Sequence, residues 1–420
     1  MDFNLSEEQR LLKENVERLV ADHYEFETRK DYAQECEGWS RALWAQYAEL
    51  GLLGLPFAEE HGGYGGGPVE TMIVMEAFGR GLVLEPFLAT IVLGGGFLRL
   101  GGSEAQRTTL IPRIAEGKLL LAFAHTERQS RYNLADVATT ARRDRDGWVV
   151  DGEKGVVLHG DVADKLIVTA RVGGAGRCDR DGIGLFLVDA TAPGMSRHGY
   201  LTQDGLRAAE ISLSGVRVSP DAAIGKPGAA LPLVERVVDG AIAALCAEAV
   251  GAMAAMHEMT VDYLKIRTQF GTPIGRFQAL QHRAVDMLMA LEQARSMAMF
   301  ATMMADEPDA AERRQAIAAA KVQIGRSARF VGQQAIQLHG GIGMTMQYKV
   351  GHYFKRTTMI DLMFGNADYH LRELARMGGL VACGARAGSD RVIAAGAEDA
   401  VSSVPLDRPV LERSGSVGAR

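Results

Sequence analysis

No proline falls between Pro232 and Pro273, and inside that interval Ala241–Met256 carries a single charge, Glu248. The run is shorter than the roughly 20 apolar residues that a membrane span requires. It therefore predicts a long helix buried in protein, from about Ala229 to Arg267. A helix that is apolar all round needs partners all round, and the sequence downstream supplies them. Helical period and stop signals predict further helices over Gln278–Met304, from Asp309 and Glu312 to Gly340-Gly341, and over roughly Val350–Met377. The last third of the chain thus reads as a bundle of long helices.

The first third is helical as well. Ser6 and Gln9 have capping-box spacing, and Leu11, Leu12, Val16, Leu19 and Val20 follow at helical period. A second periodic stretch follows Trp39 and Trp44. After the glycine-rich segment from Ala58 to Gly67, helical patterning runs from Val69 to about Gly101 and on to Gly117. Between these regions the pattern changes. Short β-prone runs stand at Val137–Ala141, Trp148–Val150, Leu166–Ala170, Gly184–Val188 and Glu210–Val218, with the turn dipeptides Asp146-Gly147 and Asp151-Gly152 among them. Strands without interleaved helices argue against a βαβ sheet and for a small sandwich or barrel. The expected fold class is α+β: helical 1–118, β 119–228, helical 229–380, and a flexible small-residue tail over 381–420.

Chain length fits three domains at roughly 150 residues each. Lys plus Arg is 46 against 52 for Asp plus Glu, a net charge of −6, which disfavours nucleic acid and anionic membrane as partners. Cys36, Cys178, Cys246 and Cys383 form no C-x-x-C pair and have no histidine cluster beside them. No disulfide framework and no metal site is expected, and a reducing compartment fits. Met1–Asn4 shows no signal-peptide pattern. With no membrane span expected either, the predicted location is cytoplasmic.

Known catalytic motifs are missing. There is no P-loop, no G-x-S-x-G and no H-E-x-x-H. The G-x-G of Gly341-Ile342-Gly343 follows a helix, so a dinucleotide-binding reading fails on context. An ordered set of other stretches does carry a resemblance: Asp2–Gln9, Glu59-Glu60-His61-Gly62-Gly63, Ala124-His125-Thr126-Glu127, Asp151-Gly152-Glu153-Lys154, Arg267-Thr268-Gln269-Phe270-Gly271 with Phe277-Gln278, and Gln337–Gly343. Over about residues 1–380 the chain resembles the acyl-CoA dehydrogenases. The resemblance implies a helical domain, a β domain and a four-helix bundle. It also implies FAD held between subunits, an acyl-CoA substrate, and electron-transfer flavoprotein or a similar acceptor as partner. FAD-binding roles are implied for Thr126, Arg267, Gln269, Phe270, Gln278, Gln337, Gly340 and Gly341. A guanidinium such as Arg267 suits a pyrophosphate, and glycines let backbone N–H groups approach phosphate.

The departures from the family pattern matter as much. Where the family has Thr-Glu-Pro-Gly-Ala-Gly-Ser-Asp, this chain reads Thr126-Glu127-Arg128-Gln129-Ser130-Arg131-Tyr132-Asn133. Val156 and Leu158 replace an aromatic residue and a hydroxyl residue beside the flavin. The usual catalytic Glu position is Gly365, and a second family position for that carboxylate is Ala241. The catalytic residue is therefore unassigned, with Glu248, Asp239 and Asp368 as substitutes to test. The pattern favours one subunit of a heteromeric enzyme, paired with a Glu-bearing relative. A self-sufficient dehydrogenase with a displaced base and a non-catalytic scaffold are the alternatives. Small residues at Ala241, Ala243 and Ala244 suggest room for a bulky acyl group.

Overall fold

A computed structural model describes residues 5–378 with the exception of Ala175. The expected flexible tail at 381–420, Cys383 and the Asp2–Asn4 start lie outside the described residues.

Helix α1 (Glu7–His23) begins where the sequence predicts. Ser6 caps the Gln9 N–H, and the Gln9 side chain accepts from Ser6 N at 3.0 Å. Then come α2 (Phe26–Gln34), α3 (Arg41–Glu49) and α4 (Pro68–Gly81). The helical run expected to reach Gly101 is broken. Leu82 is left-handed at φ 58°, and a π-helical segment, Leu88–Gly95, precedes α5 (Gly96–Gly101) and α6 (Glu104–Ala115). Two causes are visible. Pro86 drives its predecessor out of the helical region, and that predecessor, Glu85, is buried as the acceptor of the Tyr24 and Tyr47 hydroxyls and Ser40 N. The break thus ties α4 to α1 and α3.

The middle of the chain forms β1 (Leu121–Ala124), β2 (Thr140–Asp144), β3 (Gly147–Leu158), β4 (Lys165–Arg171), β5 (Ile183–Asp189), β6 (Met195–Leu201), β7 (Arg207–Val218) and β8 (Ala223–Ile224). They make one sheet in the order β6-β7-β3-β2-β4-β5-β8, with β1 parallel to β4. The sheet curls. Trp148 of β3 packs on Phe186 of β5 with ring centroids 5.1 Å apart, although these strands are not neighbours. Inside the curl Val150, Val168, Phe186, Ile211 and Val216 form a separate core. The strand expected over Val137–Ala141 sits three residues later.

The helical region contains α7 (Leu231–Ile266), the hairpin β9 (Thr268–Gln269) and β10 (Thr272–Pro273), α8 (Gln278–Met304), α9 (Ala310–His339), α10 (Lys349–Leu362) and α11 (Ala367–Arg376). Helix α7 matches the predicted span. It is the one described helix long and apolar enough to cross a membrane, and 94% of its most apolar window is buried within the protein. The single helix expected over Val350–Met377 is two. Phe364 and Gly365 turn left-handed, and the Asn366 side chain caps α11 through Tyr369 N at 2.9 Å.

Glycines let α4 and α7 touch. A Cβ on Gly251 would lie 1.8 Å from the Glu76 carbonyl oxygen, and one on Gly79 would lie 1.9 Å from that of Glu248. The Glu248 side chain, on this buried helix, is held by Arg356 of α10 through two bonds of 2.5 and 2.8 Å. Arg356 also donates to Asp204, from the β6–β7 turn, at 2.7 Å. Two carboxylates on one guanidinium keep all three groups charged without solvent. Arg356→Met should therefore cost about 3–5 kcal/mol, because it strands two buried carboxylates. Urea unfolding measures this, and a loss below about 1 kcal/mol contradicts it.

Candidate active site

A cavity of about 210 Å³ opens between the sheet and α10, lined by Phe123, Thr126, Val156, Leu158 and Thr202 among others. A second, of about 280 Å³, lies between α7, α9 and α11 and is lined by Asp239, Ile242, Arg314, Tyr369 and His370. Tyr132, Leu134 and Phe364 line both. The two cavities therefore adjoin along these side chains.

The loop from Thr126 to Asn133 is anchored by a buried ion pair, Lys154 Nζ to Glu127 at 2.6 Å. Glu127 also accepts from Ala138 N at 2.8 Å and Thr139 N at 3.1 Å. Burial alone would raise this carboxyl, but Lys154 and the amide donors outweigh it and hold it down at about 2. Burial draws Lys154 down to about 8 despite Glu127, so the pair is charged at neutral pH. Next to it, Gly155 N donates to the Thr126 carbonyl at 2.8 Å. A register shift in β3 between Lys154 and Val157 then sets Val156 at φ 51°. A β-branched residue in the left-handed region is strained, and such strain persists where the surrounding structure dictates it. Val156 is thereby presented to the first cavity.

At the opposite wall stands the turn Phe364-Gly365-Asn366. Gly365 has φ 109°, and a Cβ there would lie 2.5 Å from a ring carbon of Tyr369 and 2.6 Å from His370 Nε2. The carboxylate substitutes fare poorly. Glu248 is committed to Arg356. Asp368 is exposed in the first turn of α11. Asp239 lines the second cavity and is paired with Arg313 at 3.0 Å, with burial raising its carboxyl. Ala241 is fully buried. Ala243 and Ala244 face a different cavity, between α7 and the π-helical segment, so they do not enlarge either cavity at the site.

The other residues singled out from the sequence stand elsewhere. Arg267, Gln269, Phe270 and Gln278 are exposed around the β9–β10 hairpin, Phe270 at 92%. Gln337, Gly340 and Gly341 are exposed at the end of α9, and a Cβ on either glycine would meet nothing within 4 Å. Tyr263 and His339, with ring centroids 4.6 Å apart, bring these two groups to one end of the bundle. Thr126 is not with them; it lines the first cavity. The chain thus presents a cavity and, separately, an exposed cradle. Sequence reading missed Tyr369 and His370, which belong to no matched stretch. It quoted Glu127 and Lys154 without seeing that they pair.

Models of the acyl-CoA dehydrogenase N-terminal, middle and C-terminal domains match residues 6–118, 122–216 and 234–378. Acyl-CoA dehydrogenase FadE12 of Mycobacterium tuberculosis (strain ATCC 25618 / H37Rv) is 32% identical over 353 residues, 83% of this chain and 90% of that protein. A variant of the steroid ACAD Tcur3481-Tcur3483 is similar in structure at TM-score 0.80 and 29% identity, covering 89% of this chain and 98% of its own. The FAD complex of PigA gives TM-score 0.83 at 27% identity, covering 90% and 100%. The chain belongs to the acyl-CoA dehydrogenase family.

Glu127 provides a pH test. Its carboxyl is held at about 2 in the folded protein and returns to roughly 4.3 on unfolding. Its contribution to stability is full above the unfolded value and is lost as pH falls through that value toward 2. The stability gap between wild type and Glu127→Gln should shrink between pH 6 and pH 2.5; a gap independent of pH contradicts the assignment.

Proposed function

We propose that the protein is an FAD-dependent dehydrogenase of acyl-CoA thioesters that works as one subunit of a heteromer, with a Glu-bearing relative as its partner. Membership of the family makes FAD the cofactor and oxidoreduction the reaction. The observation that carries the heteromer reading is the contrast between the two halves of the site. The exposed cradle keeps its cofactor-type residues, Arg267, Phe270, Gln337, Gly340 and Gly341, all accessible to a neighbouring chain. The chain's own cavity lacks the aromatic and hydroxyl groups at Val156 and Leu158 and has no carboxylate at Gly365.

The residues fit the cofactor in kind. The first cavity keeps apolar walls and the Thr126 side chain on its flavin side, but Val156 and Leu158 leave it without an aromatic ring or a hydroxyl at those positions. The cradle offers an exposed guanidinium, exposed amide side chains and two glycines with open space around them for the nucleotide part. Bound FAD supplies a hydride acceptor. The protein's own part is to grip that cofactor across a subunit boundary; its second cavity corresponds to the acyl-CoA side of a site, and Gly365 leaves that side without a base. The partner supplies the carboxylate that takes the α-proton. Exposed apolar residues beside the cradle, Ile266, Phe270, Met344 and Met346, fit a surface covered in an oligomer. The double name of the steroid ACAD among the structural relatives is in keeping with two kinds of chain. Within this reading, 1–118, 119–228 and 229–380 are the three domains, electron-transfer flavoprotein or a similar protein takes the electrons, and the enzyme is cytoplasmic.

Anaerobic mixing with acyl-CoA tests the reading. Flavin should bleach only in the complex co-purified with a Glu-bearing relative, and bleaching by the lone chain would overturn the heteromer. Arg267→Ala should weaken FAD retention by about 2–4 kcal/mol; unchanged flavin content on dialysis would remove Arg267 from the cofactor site.

A further inference from the structure

The wall between the two cavities is more than incidental packing. Of its three residues, Tyr132 packs its ring on Tyr369 at 5.2 Å. Tyr369 meets His370 edge-on at 5.2 Å and 85°. His370 Nε2 donates to the Phe364 carbonyl at 3.0 Å, so the wall closes back on its third member. These rings also fill the direction in which a residue at 365 would project, since a Cβ there falls on Tyr369 and His370. Burial and the nearby Lys321 cation push the His370 imidazole down to about 4. It is neutral at physiological pH and packs as an uncharged ring. Tyr132 stands where the resembled pattern has a serine.

We propose that Tyr132 and Phe364, backed by Tyr369 and His370, form an aromatic partition between the acyl cavity and the flavin cavity in this chain, and that the Tyr369 and His370 rings occupy the place of the catalytic carboxylate. Tyr132 is the residue that decides whether an acyl group passes. The inference rests on the acyl-CoA reading above and deepens it. A CoA ester docks in this subunit by its CoA portion, its acyl group is turned back at the partition, and proton abstraction is confined to the partner's site. The absent carboxylate and the crowded loop become one feature rather than two losses.

Calorimetric titration of the full chain with CoA and with butyryl-CoA tests this. Wild type should bind both with Kd values within about twofold. Tyr132→Ala should tighten butyryl-CoA by about fivefold or more and leave CoA within about twofold. Butyryl-CoA binding that does not change, or that changes in step with CoA, overturns the partition. If neither compound binds to either protein, the acyl-CoA reading itself falls, and the occupancy claim is judged by a measurement that needs no ligand. Gly365→Ala and His370→Ala are combined in a double-mutant cycle of unfolding. The alanine at 365 should shift the unfolding constant at least about fivefold less when His370 is already gone. Additive effects would show that His370 does not occupy that space.

Discussion

A helix with apolar residues on every side and one acid in its middle admits few solutions. Glu248 cannot be left unpaired inside α7, and α7 cannot be moved to the surface without exposing its apolar faces. Arg356 resolves the conflict. Its bonds to Glu248 and Asp204 fix α10 against α7 and dock the β6–β7 turn onto both. That single guanidinium also lines the first cavity, so the same interaction that completes the core sets one wall of the site. The glycine contact between α4 and α7 brings the N-terminal helices onto the other side of the same helix. Arg356 thus links the core around α7 to one wall of the first cavity.

Much of this arrangement is legible in the sequence, because it depends on local signals. The Pro-free apolar run marks α7, Ser6 and Gln9 mark the start of α1, and Asp146-Gly147 marks the turn into β3, whereas Asp151-Gly152, also expected as a turn, lies inside β3 at a register shift against β7. The misses have physical causes. Strand β1 is buried at all four positions and β6 is mostly exposed, so neither alternates. The π-helical segment at Leu88–Gly95 and the break before it depend on Glu85 finding Tyr24 and Tyr47, which are distant in sequence. The turn at Phe364–Asn366 interrupts a pattern that is otherwise helical by period, and no proline announces it.

The site divides in the same way. Residues of the cradle are identifiable because they fall in stretches that match a family. The partition is not, since it is defined by contacts between a loop near residue 132 and a turn near residue 365. Gly365 reads in the sequence as a missing acid. In the structure it is a place already taken by two rings. Glu248, the one acid in the apolar run Ala241–Met256, is a structural ion pair, as its surroundings require.

The proposed heteromer is asymmetric. Each complete flavin site would combine this chain's cradle with a partner's cavity, while the reciprocal combination would be defective. The direct test is the flavin stoichiometry of the complex purified with a Glu-bearing relative, read from absorbance against the amount of each chain. The account predicts about one FAD for every two chains, one per unlike pair. A value of about one FAD per chain would show that this protein's own cavity holds flavin as well as its partner's does, and would contradict the account.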